Sequence, residues 1–318
     1  MIDTAALAAV LAPELGAVTI DGLRELTGGA SRSTWAFAAD SRPLILRIGP
    51  PDDVHAGMEL EAAALRRAAA AGAPVPHVLT ASNSVEPLGN PYLICDFIDG
   101  ETIARKIARA LDDTSRPALL GQCAHALAQI HRADAHGIGL VESDPLTDWR
   151  RELDQMGDTT ATFEWAFRWL ERNRPARTRP VLVHGDFRMG NLIVDFSSET
   201  ARLAAVLDWE LTHVGEAADD LAWFCIRAWR FGAPKELAAG GLGSIDDFVS
   251  AYQAGGGVPV DRDTLHWWLV LATLRWGVIC RYQYERHRCG QTRSVELAAI
   301  GRRVCETEYD LLTLLERT

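Results

Sequence analysis

Two short apolar runs lie on either side of a polar segment in the stretch VLVHGDFRMGNLIVD, residues 181–195. Runs of this kind, rich in Val, Ile and Leu, are typical of buried strands. The polar residues between them, His184, Asp186 and Asn191, should therefore lie on a short connection at the edge of a core. Such connections often carry functional side chains. The stretch is also compatible with an ordinary turn, because Gly, Asp and Asn all favour turns.

The second of these runs is followed by another, RLAAVLD, across the linker FSSETA. This pattern predicts a hairpin. Because a hairpin brings its two ends together, Asn191 and Asp208 should be neighbours in space. With Asp186 five residues upstream of Asn191, the segment offers one amide and two carboxylates. Mg²⁺ prefers oxygen ligands of this kind and commonly shares them with substrate phosphates. The pattern therefore predicts a magnesium site.

The chain of 318 residues changes character near position 98. Before it, the turn signals GGAS and DSRP predict a meander of three antiparallel strands, and an Ala-rich helix over 53–71 and two further strands follow. After it, apolar residues recur at helical spacing. We expect an α+β protein with a small β-rich N-terminal lobe containing one helix, residues 1–97, and a larger helical C-terminal lobe, residues 98–318. In the second lobe, helices are predicted over 118–132, 161–173, 219–230, 245–254, 262–287 and 293–316, and strands only over 181–183, 191–195 and 203–207.

The composition excludes several classes of function. The formal net charge of −11 argues against a general nucleic-acid-binding protein, which would be basic, but it is compatible with a local nucleotide site. The six cysteines are scattered without a C-x-x-C pair, as in proteins with reduced thiols. The N-terminus lacks the basic start of a signal peptide, and no apolar run reaches the roughly 18–20 residues of a membrane span. We expect a cytoplasmic protein that binds neither nucleic acid nor membrane.

The motif HGDFRMGN followed by VLDWE resembles the catalytic loop and metal-binding segment of the aminoglycoside phosphotransferase and choline kinase superfamily. The spacing of Asp186 and Asn191 matches the kinase pattern H-R-D-x-x-x-x-N. Within the superfamily, HGDFRMGNLIVD with VLDWELTHVGEAADDLAW most resembles phosphotransferases related to those fused to acyl-CoA dehydrogenases. The resemblance implies a bilobal fold similar to that of protein kinases, and an enzyme that uses ATP and Mg²⁺.

The resemblance also implies a role for each matching residue. Asp186 would orient the acceptor hydroxyl and take its proton, while Asn191 and Asp208 would hold Mg²⁺. Arg47, in LILR, would contact the nucleotide phosphates and be positioned by Glu61. The stretch LTGGASRSTW resembles the family's phosphate-covering turn, and ICDFIDG resembles its hinge, which lines the adenine site mainly through backbone. The nucleotide-binding residues implied there are Gly28, Gly29 and Ser31 in the turn, and Asp96, Phe97 and Ile98 in the hinge.

Some of these residues have simpler interpretations when each is taken alone. Gly28–Gly29 is an ordinary hairpin turn and not a G-x-G-x-x-G. Arg47 stands where kinases usually have Lys, and Arg is a planar fork rather than a point charge. His131 and His184 are predicted to be structural, with His184 holding the loop by its ring nitrogens. Asp220 is predicted to brace the same loop.

Only 12 positions separate Asp208 from Asp220, too few for the activation segment and A-P-E motif of a protein kinase. This spacing favours a small-molecule acceptor. Residues 140–180 are predicted to form helices over the acceptor side, and they carry charges of both signs. The acidic residues would suit a polycationic aminoglycoside; they are Glu152, Asp154, Asp158 and Glu164. The arginines would suit an acceptor that carries phosphate groups; they are Arg168, Arg172, Arg174, Arg177 and Arg179.

The subgroup resemblance favours transfer of the γ-phosphoryl group to a hydroxyacyl-CoA or a similar hydroxylated metabolite. An aminoglycoside O-phosphotransferase is the alternative within the same class. A nucleotide-binding pseudokinase is the alternative from the binding class, and the intact set of Asp186, Asn191 and Asp208 argues against it. A metal-dependent hydrolase built on His184 and His213, with the two carboxylates, would need a transition metal and no ATP. The sequence does not indicate the oligomeric state.

Overall fold

The computed structural model of the protein describes residues 2–26, 32–49, 57–142, 144–198 and 200–316. The strands are β1 (Ile20–Leu26), β2 (Ser33–Ala39), β3 (Arg42–Ile48), β4 (Val78–Ser82), β5 (Tyr92–Asp96), β6 (Val181–Val183), β7 (Leu192–Asp195), β8 (Arg202–Val206) and β9 (His213–Gly215). The helices are α1 (Thr4–Leu15), α2 (Met58–Ala70), α3 (Ala104–Ala110), α4 (Ser115–Arg132), α5 (Pro145–Gln155), α6 (Ala161–Arg172), α7 (Ala217–Cys225), α8 (Ile245–Ala254), α9 (Arg262–Arg288), α10 (Val295–Gly301) and α11 (Val304–Leu315).

A five-stranded antiparallel sheet forms the N-terminal part of the chain, in the strand order β1-β2-β3-β5-β4. The turn between β2 and β3 is Asp40–Ser41, where both residues have positive φ angles, 47° and 71°. A two-residue turn of this kind matches the twist of the strands that it joins. The three-stranded meander predicted from the sequence is therefore confirmed.

Different helices cover the two faces of this sheet. Successive side chains of a strand point to opposite faces. In β5, Tyr92 and Ile94 belong to the buried cluster that includes Leu7 of α1. Leu93 and Cys95 belong to the main core, which also contains α2 and the C-terminal helices. Burial of a leucine-sized side chain contributes about 1.5–3 kcal/mol, so these contacts fix the sheet between α1 and α2.

The C-terminal part is mainly helical. The 27-residue helix α9 packs against α5, α6, α7, α10 and α11. Two antiparallel pairs of short strands lie among these helices, β7 with β8 and β6 with β9. Over the described ranges, no helix combines the length and the apolar character needed to cross a bilayer.

The bounds of several predicted helices differ from the structure, most clearly in three cases. The helix predicted over 53–71 begins at Met58, after Gly57 in an extended conformation as its N-cap, and residues 53–56 lie outside the described ranges. The helix predicted over 219–230 ends at Cys225, and a separate 3₁₀ turn follows over 227–230. The helix predicted over 293–316 is divided into α10 and α11. A Cβ on Gly301, at the end of α10, would lie 2.5 Å from the Tyr284 side chain, so a residue without a side chain is needed where α10 meets α9.

The prediction of only three strands after residue 98 was wrong. β9 is a fourth strand, and it pairs with β6 so that Val181 lies opposite Gly215 and Val183 opposite His213. Its three residues, HVG, are too few to show an alternating pattern, which explains why the sequence did not indicate it.

Candidate active site

The HGDFRMGN motif forms the connection between β6 and β7. His184 is fully buried at its start, and both ring nitrogens contact the backbone. Nδ1 accepts the Asp186 N–H at 3.1 Å, and Nε2 donates to the Leu207 carbonyl at 3.0 Å. This bonding assigns the neutral tautomer with its proton on Nε2. Burial lowers the pKa of His184, which favours the same neutral form. His184 therefore ties the loop to the end of β8, as predicted.

The carboxylate of Asp220, in the first turn of α7, braces the same loop. Its Oδ2 accepts the His184 N–H at 2.7 Å, and its Oδ1 accepts the Gly185 N–H at 2.9 Å. His131 of α4 lies with its Nε2 3.1 Å from Oδ2. Burial disfavours the ionised carboxylate, but the hydrogen bonds outweigh it and hold the pKa of Asp220 below its usual value. The bracing role of Asp220 was predicted, but the contribution of His131 was not.

The peptide of Gly185 is held from both sides. Its N–H contacts Asp220, and its carbonyl accepts a hydrogen bond from Nη2 of Arg275 at 2.6 Å. Its φ angle is +83°, a conformation that favours glycine. A Cβ at this position would lie 2.2 Å from the carbonyl oxygen of Leu211. The backbone immediately before Asp186 therefore has a single available geometry.

Three side chains donate hydrogen bonds to the carboxylate of Asp186. The indole Nε1 of Trp223 donates to Oδ1 at 2.7 Å, and Nδ2 of Asn191 donates to Oδ2 at 2.7 Å. Nε of Arg188 lies 3.0 Å from both oxygens. The residue is 9% exposed, so the carboxylate is fixed in orientation and still meets the surface. A group held in this way can accept a proton from a hydroxyl placed beside it.

The β7–β8 hairpin brings Asn191 next to Asp208, as predicted. The Leu207 N–H donates to the Asn191 carbonyl at 2.8 Å. Because Nδ2 of Asn191 donates to both the carbonyl and the carboxylate of Asp186, its amide orientation is assigned. The amide oxygen Oδ1 then receives no hydrogen bond from any residue in the described ranges. Asp208 itself has a φ angle of +67°, which Asp tolerates better than most residues.

Arg47 of β3 links the sheet to this hairpin. Its Nη2 donates to Oδ1 of Asp208 at 2.9 Å, and its Nη1 pairs with the fully buried Glu61 of α2. The predicted contact between Arg47 and Glu61 is therefore confirmed. Glu61 also pairs with Arg32, whose Nε lies 3.4 Å from Glu210. These contacts join three carboxylates and two guanidinium groups beside the hairpin.

The oxygen atoms of Asn191 and Asp208 fit a magnesium ion better than a transition metal. Within the described part of the chain, no group of three or more His, Cys, Asp or Glu side chains is arranged to hold a metal ion. Mg²⁺, however, often takes only one or two protein ligands together with waters and phosphates. His184 is bonded to backbone at both nitrogens, and His213 contacts a backbone carbonyl at 2.9 Å and Asp219 at 3.3 Å. The geometry therefore argues against the hydrolase alternative.

The residues predicted to bind the nucleotide are described only in part. The hinge residues Asp96, Phe97 and Ile98 follow directly along β5. The N–H groups of Asp96 and Phe97 donate to backbone carbonyls at 3.0 Å and 3.1 Å, and the Asp96 carboxylate pairs with Arg42. Between described residues, no hydrogen bond uses the Ile98 N–H, which is compatible with a hinge contact to a ligand. The residues of the predicted phosphate-covering turn, Gly28, Gly29 and Ser31, lie outside the described residues.

Sequence reasoning did not identify several residues that contact the loop or its neighbours. Trp223 had a detectable signal, because it lies three residues after Asp220 and therefore on the same face of a helix. Arg188 lies inside the motif itself. Arg32 and Arg275 had no signal of this kind, since each reaches the site only through the folding of distant segments.

Comparison with known proteins identifies the family. A model of the phosphotransferase enzyme family matches residues 22–265. Acyl-CoA dehydrogenase family member 10 of Mus musculus is 26% identical over 92% of this chain and 29% of its own length. Acyl-CoA dehydrogenase family member 11 of Gallus gallus is 26% identical over 84% of this chain and 37% of its own length. The chain thus spans about a third of the length of the curated relatives that it matches.

Solved structures share the fold over nearly the whole chain. A Ralstonia eutropha protein assigned to the aminoglycoside phosphotransferases has a TM-score of 0.82 at 19% identity, covering 100% of this chain and 99% of its own. Spectinomycin phosphotransferase, in complex with ADP and spectinomycin, has a TM-score of 0.68 at 15% identity, covering 97% and 98%. A choline/ethanolamine kinase family protein of Mesorhizobium loti has a TM-score of 0.63 at 19% identity, covering 98% and 95%.

These matches confirm the predicted α+β, bilobal fold similar to that of protein kinases. The family match extends from β1 into α9 and includes the loop, the hairpin and the Arg47–Glu61 pair. The chain therefore belongs to the phosphotransferase enzyme family, whose members are small-molecule kinases.

Proposed function

We propose that this protein transfers the γ-phosphoryl group of ATP to a hydroxyl group of a small molecule, with Mg²⁺ as cofactor. The observation that supports this most directly is the convergence of Asp186, Asn191 and Asp208 beside the Arg47–Glu61 pair. Phosphoryl transfer depends mainly on positioning and on stabilisation of charge, and this group provides side chains for both. We place the nucleotide between an N-terminal lobe, residues 1–97, and a C-terminal lobe, residues 98–318.

In this proposal Asp186 orients the acceptor hydroxyl and accepts its proton. The three donors to its carboxylate hold it in one orientation, which reduces the entropy lost on reaching the reactive geometry. Its carboxylate is not completely buried, so an acceptor can reach it.

Asn191 would hold Mg²⁺ through its amide oxygen, and Asp208 through its carboxylate. The ion, when bound, neutralises negative charge on the phosphates. Arg47 occupies one oxygen of Asp208 through Nη2 while Nη1 stays on Glu61. Nη2 can therefore turn from Asp208 to a nucleotide phosphate without breaking the pair with Glu61. Gly28, Gly29 and Ser31 would cover the phosphates, and the hinge from Asp96 to Ile98 would line the adenine.

Three of the four acidic side chains named for this region pair with arginines, whereas Glu152 is exposed and forms no ion pair with a described residue. Asp154 and Glu164 both pair with Arg150. Asp158, between the two helices, pairs with Arg281. The charges of these three paired acids are less available to a polycationic acceptor, which weakens the aminoglycoside alternative.

The arginines of the same region are neutralised to a lesser degree. Arg174 pairs with Asp144, and Arg177 pairs with Glu142. The remaining three are exposed and form no ion pair with any described residue; they are Arg168, Arg172 and Arg179. This balance supports an anionic acceptor. Together with relatives named as acyl-CoA dehydrogenases, it supports a hydroxyacyl-CoA or a similar hydroxylated metabolite.

An acceptor screen tests the proposal. Purified protein with Mg-ATP is assayed for ADP release against hydroxyacyl-CoA thioesters, aminoglycosides and amino alcohols, with Asp186→Asn as the matched inactive variant. We expect turnover with a hydroxylated thioester that the variant lacks. If only aminoglycosides were phosphorylated, the protein would be an aminoglycoside phosphotransferase and the proposed thioester acceptor would be wrong. Equal ADP release by the wild type and the variant, with every compound and with water, would contradict the proposed function.

A further inference from the structure

A buried arginine of α9 contacts both the loop backbone and the tryptophan that holds Asp186. Arg275 is 6% exposed, and its Nη2 donates to the Gly185 carbonyl at 2.6 Å. Its guanidinium carbon lies 4.1 Å from the centroid of the Trp223 ring. The indole N–H of Trp223 donates in turn to Oδ1 of Asp186 at 2.7 Å. Arg275 therefore contacts Gly185 directly and acts on Asp186 through Trp223.

The surroundings of Arg275 suit a charged guanidinium. Nη1 lies 3.4 Å from Oδ1 of Asp219, and a second indole, that of Trp149, has its centroid 5.5 Å from the guanidinium carbon. A buried charge is costly unless it is paired and hydrogen-bonded, and here a carboxylate, a carbonyl and two aromatic faces share that task. The position is therefore built for a cation rather than for an apolar side chain of the same size.

The order of these groups has a chemical consequence. A cation over the face of an indole draws electron density from the ring, which makes the indole N–H a better donor to an anion. Hydrogen bonds arranged in series polarise one another in this way, most strongly where water is excluded. Trp223 is 2% exposed, so this sequence of contacts is shielded from solvent.

We propose that Trp223 and Arg275 are positioning residues for the candidate base. Trp223 fixes the orientation of the Asp186 carboxylate, and Arg275 acts through Trp223 and through the Gly185 peptide. The inference rests on the proposed function, because it requires Asp186 to be the proton acceptor. The inference goes beyond the proposed function because it assigns to Trp223 of α7 and Arg275 of α9 a role in orienting the Asp186 carboxylate.

The test compares Trp223→Phe with Trp268→Phe in the full chain. Trp268 lies on α9, as Arg275 does, and it is 4% exposed. Its Nε1 has no hydrogen-bond partner in the described ranges, so its replacement removes a buried indole without removing a hydrogen bond. The probe is Mg-ATP with water as the phosphoryl acceptor, measured as steady-state ADP release. Trp223→Phe should lower kcat about tenfold or more, the loss expected for a hydrogen bond to a charged group. Its KM for ATP should stay within about twofold of wild type, and Trp268→Phe should keep the wild-type kcat.

Substitutions of Arg275 extend the test, and the two single Arg275 variants replace it if Trp223→Phe does not fold. Arg275→Lys keeps a cation that can reach the Gly185 carbonyl, whereas Arg275→Met removes it. The kcat should fall in the order wild type, Arg275→Lys, Arg275→Met, with little change in KM. In the Trp223→Phe/Arg275→Met double variant, the loss should be smaller than the product of the two single losses, because one of the two contacts of Arg275 acts through Trp223.

The outcomes separate this inference from the proposed function. If Asp186→Asn abolishes ADP release while Trp223→Phe matches Trp268→Phe, or while the two single losses multiply, the positioning role is wrong and the proposed function stands. Wild-type ADP release no greater than that of Asp186→Asn overturns both.

Discussion

Arg47 and Asp208 are 161 residues apart in the sequence, and Nη2 of the first lies 2.9 Å from Oδ1 of the second. The same guanidinium also pairs with Glu61, so a single side chain joins α2 to the segment after β8. A planar fork can hold two carboxylates through two separate nitrogens, which an ammonium group cannot do in the same geometry. The arginine at a position where kinases usually have lysine therefore has a structural explanation.

We expect Arg47→Lys to weaken nucleotide binding. The ammonium group can contact Glu61 or Asp208, but it cannot bridge them as the fork does. The KM for ATP should rise about tenfold, which corresponds to about 1.4 kcal/mol. Arg202→Lys is the control, because Arg202 pairs with Asp195 on the exposed side of the β7–β8 hairpin. Similar KM values for both variants would argue against a role for Arg47 at the phosphates.

Asp208→Asn should remove the contribution of Mg²⁺ to nucleotide binding. Asn has the same shape and also tolerates the φ angle of +67°, so the fold should be retained while the charge is lost. Titration calorimetry of ADP with and without Mg²⁺ measures the difference. The wild type should bind Mg-ADP more tightly than ADP, and the variant should bind both alike. Asp195→Asn, at the end of β7, should behave as wild type; an unchanged magnesium effect in Asp208→Asn would rule out its role as a ligand.

Asp186→Ala should lose turnover and retain nucleotide binding. The carboxylate is replaced, but Asn191, Asp208 and Arg47 remain. We expect kcat to fall by a factor of about 10²–10⁴, the usual contribution of a positioned base. The increase in melting temperature caused by Mg-ADP should persist, because a ligand that binds the folded state still stabilises it. Normal turnover in this variant would exclude Asp186 as the base.

Gly185→Ala should destabilise the protein by more than the conformational strain alone. The positive φ angle costs roughly 1–2 kcal/mol for a residue with a Cβ. At Gly185 that Cβ would also lie 2.2 Å from a backbone oxygen, whereas at Gly157, with a φ angle of +68°, nothing lies within 4 Å. Denaturant unfolding of the two alanine variants separates strain from steric overlap. An equal decrease in the free energy of unfolding at both positions would mean that the loop can move enough to accommodate the added methyl group.

His184 should make stability depend on pH below neutrality. Burial lowers its pKa, so the unfolded chain takes up a proton at this site where the folded chain does not. The free energy of unfolding therefore falls as the pH decreases through the ordinary histidine pKa of about 6.5. In His184→Gln the decrease between about pH 7 and pH 5 should be smaller, as measured by denaturant unfolding at each pH. Identical slopes would show that His184 protonates equally in both states.

The elements that the sequence predicted well are those whose partners are close along the chain. The strands β7 and β8 have apolar runs and a short linker, so pairing them needs no knowledge of the rest of the fold. The proximity of Asn191 and Asp208 follows from that pairing. The β2–β3 turn was equally accessible, because its residues carry their own turn signal.

The parts that the sequence did not predict depend on packing between distant segments. Arg275 lies in the stretch WWLVLATLRW, whose pattern indicates a core helix, and Trp267 and Trp268 are indeed buried. Nothing in that pattern indicates that the arginine four turns into α9 faces a loop 90 residues earlier. The contact of His131 with Asp220 is similar, since α4 meets the loop only once the helices have packed.

The strand β9 occupies the stretch where protein kinases carry a segment that modifying enzymes can reach. Its backbone is engaged with β6 over three residue pairs, between Asp208 and Asp220. A segment that is this short and hydrogen-bonded in a sheet cannot rearrange as the activation segment of a protein kinase does. We therefore expect the segment between Asp208 and Asp220 not to act as a phosphorylation-controlled activation segment.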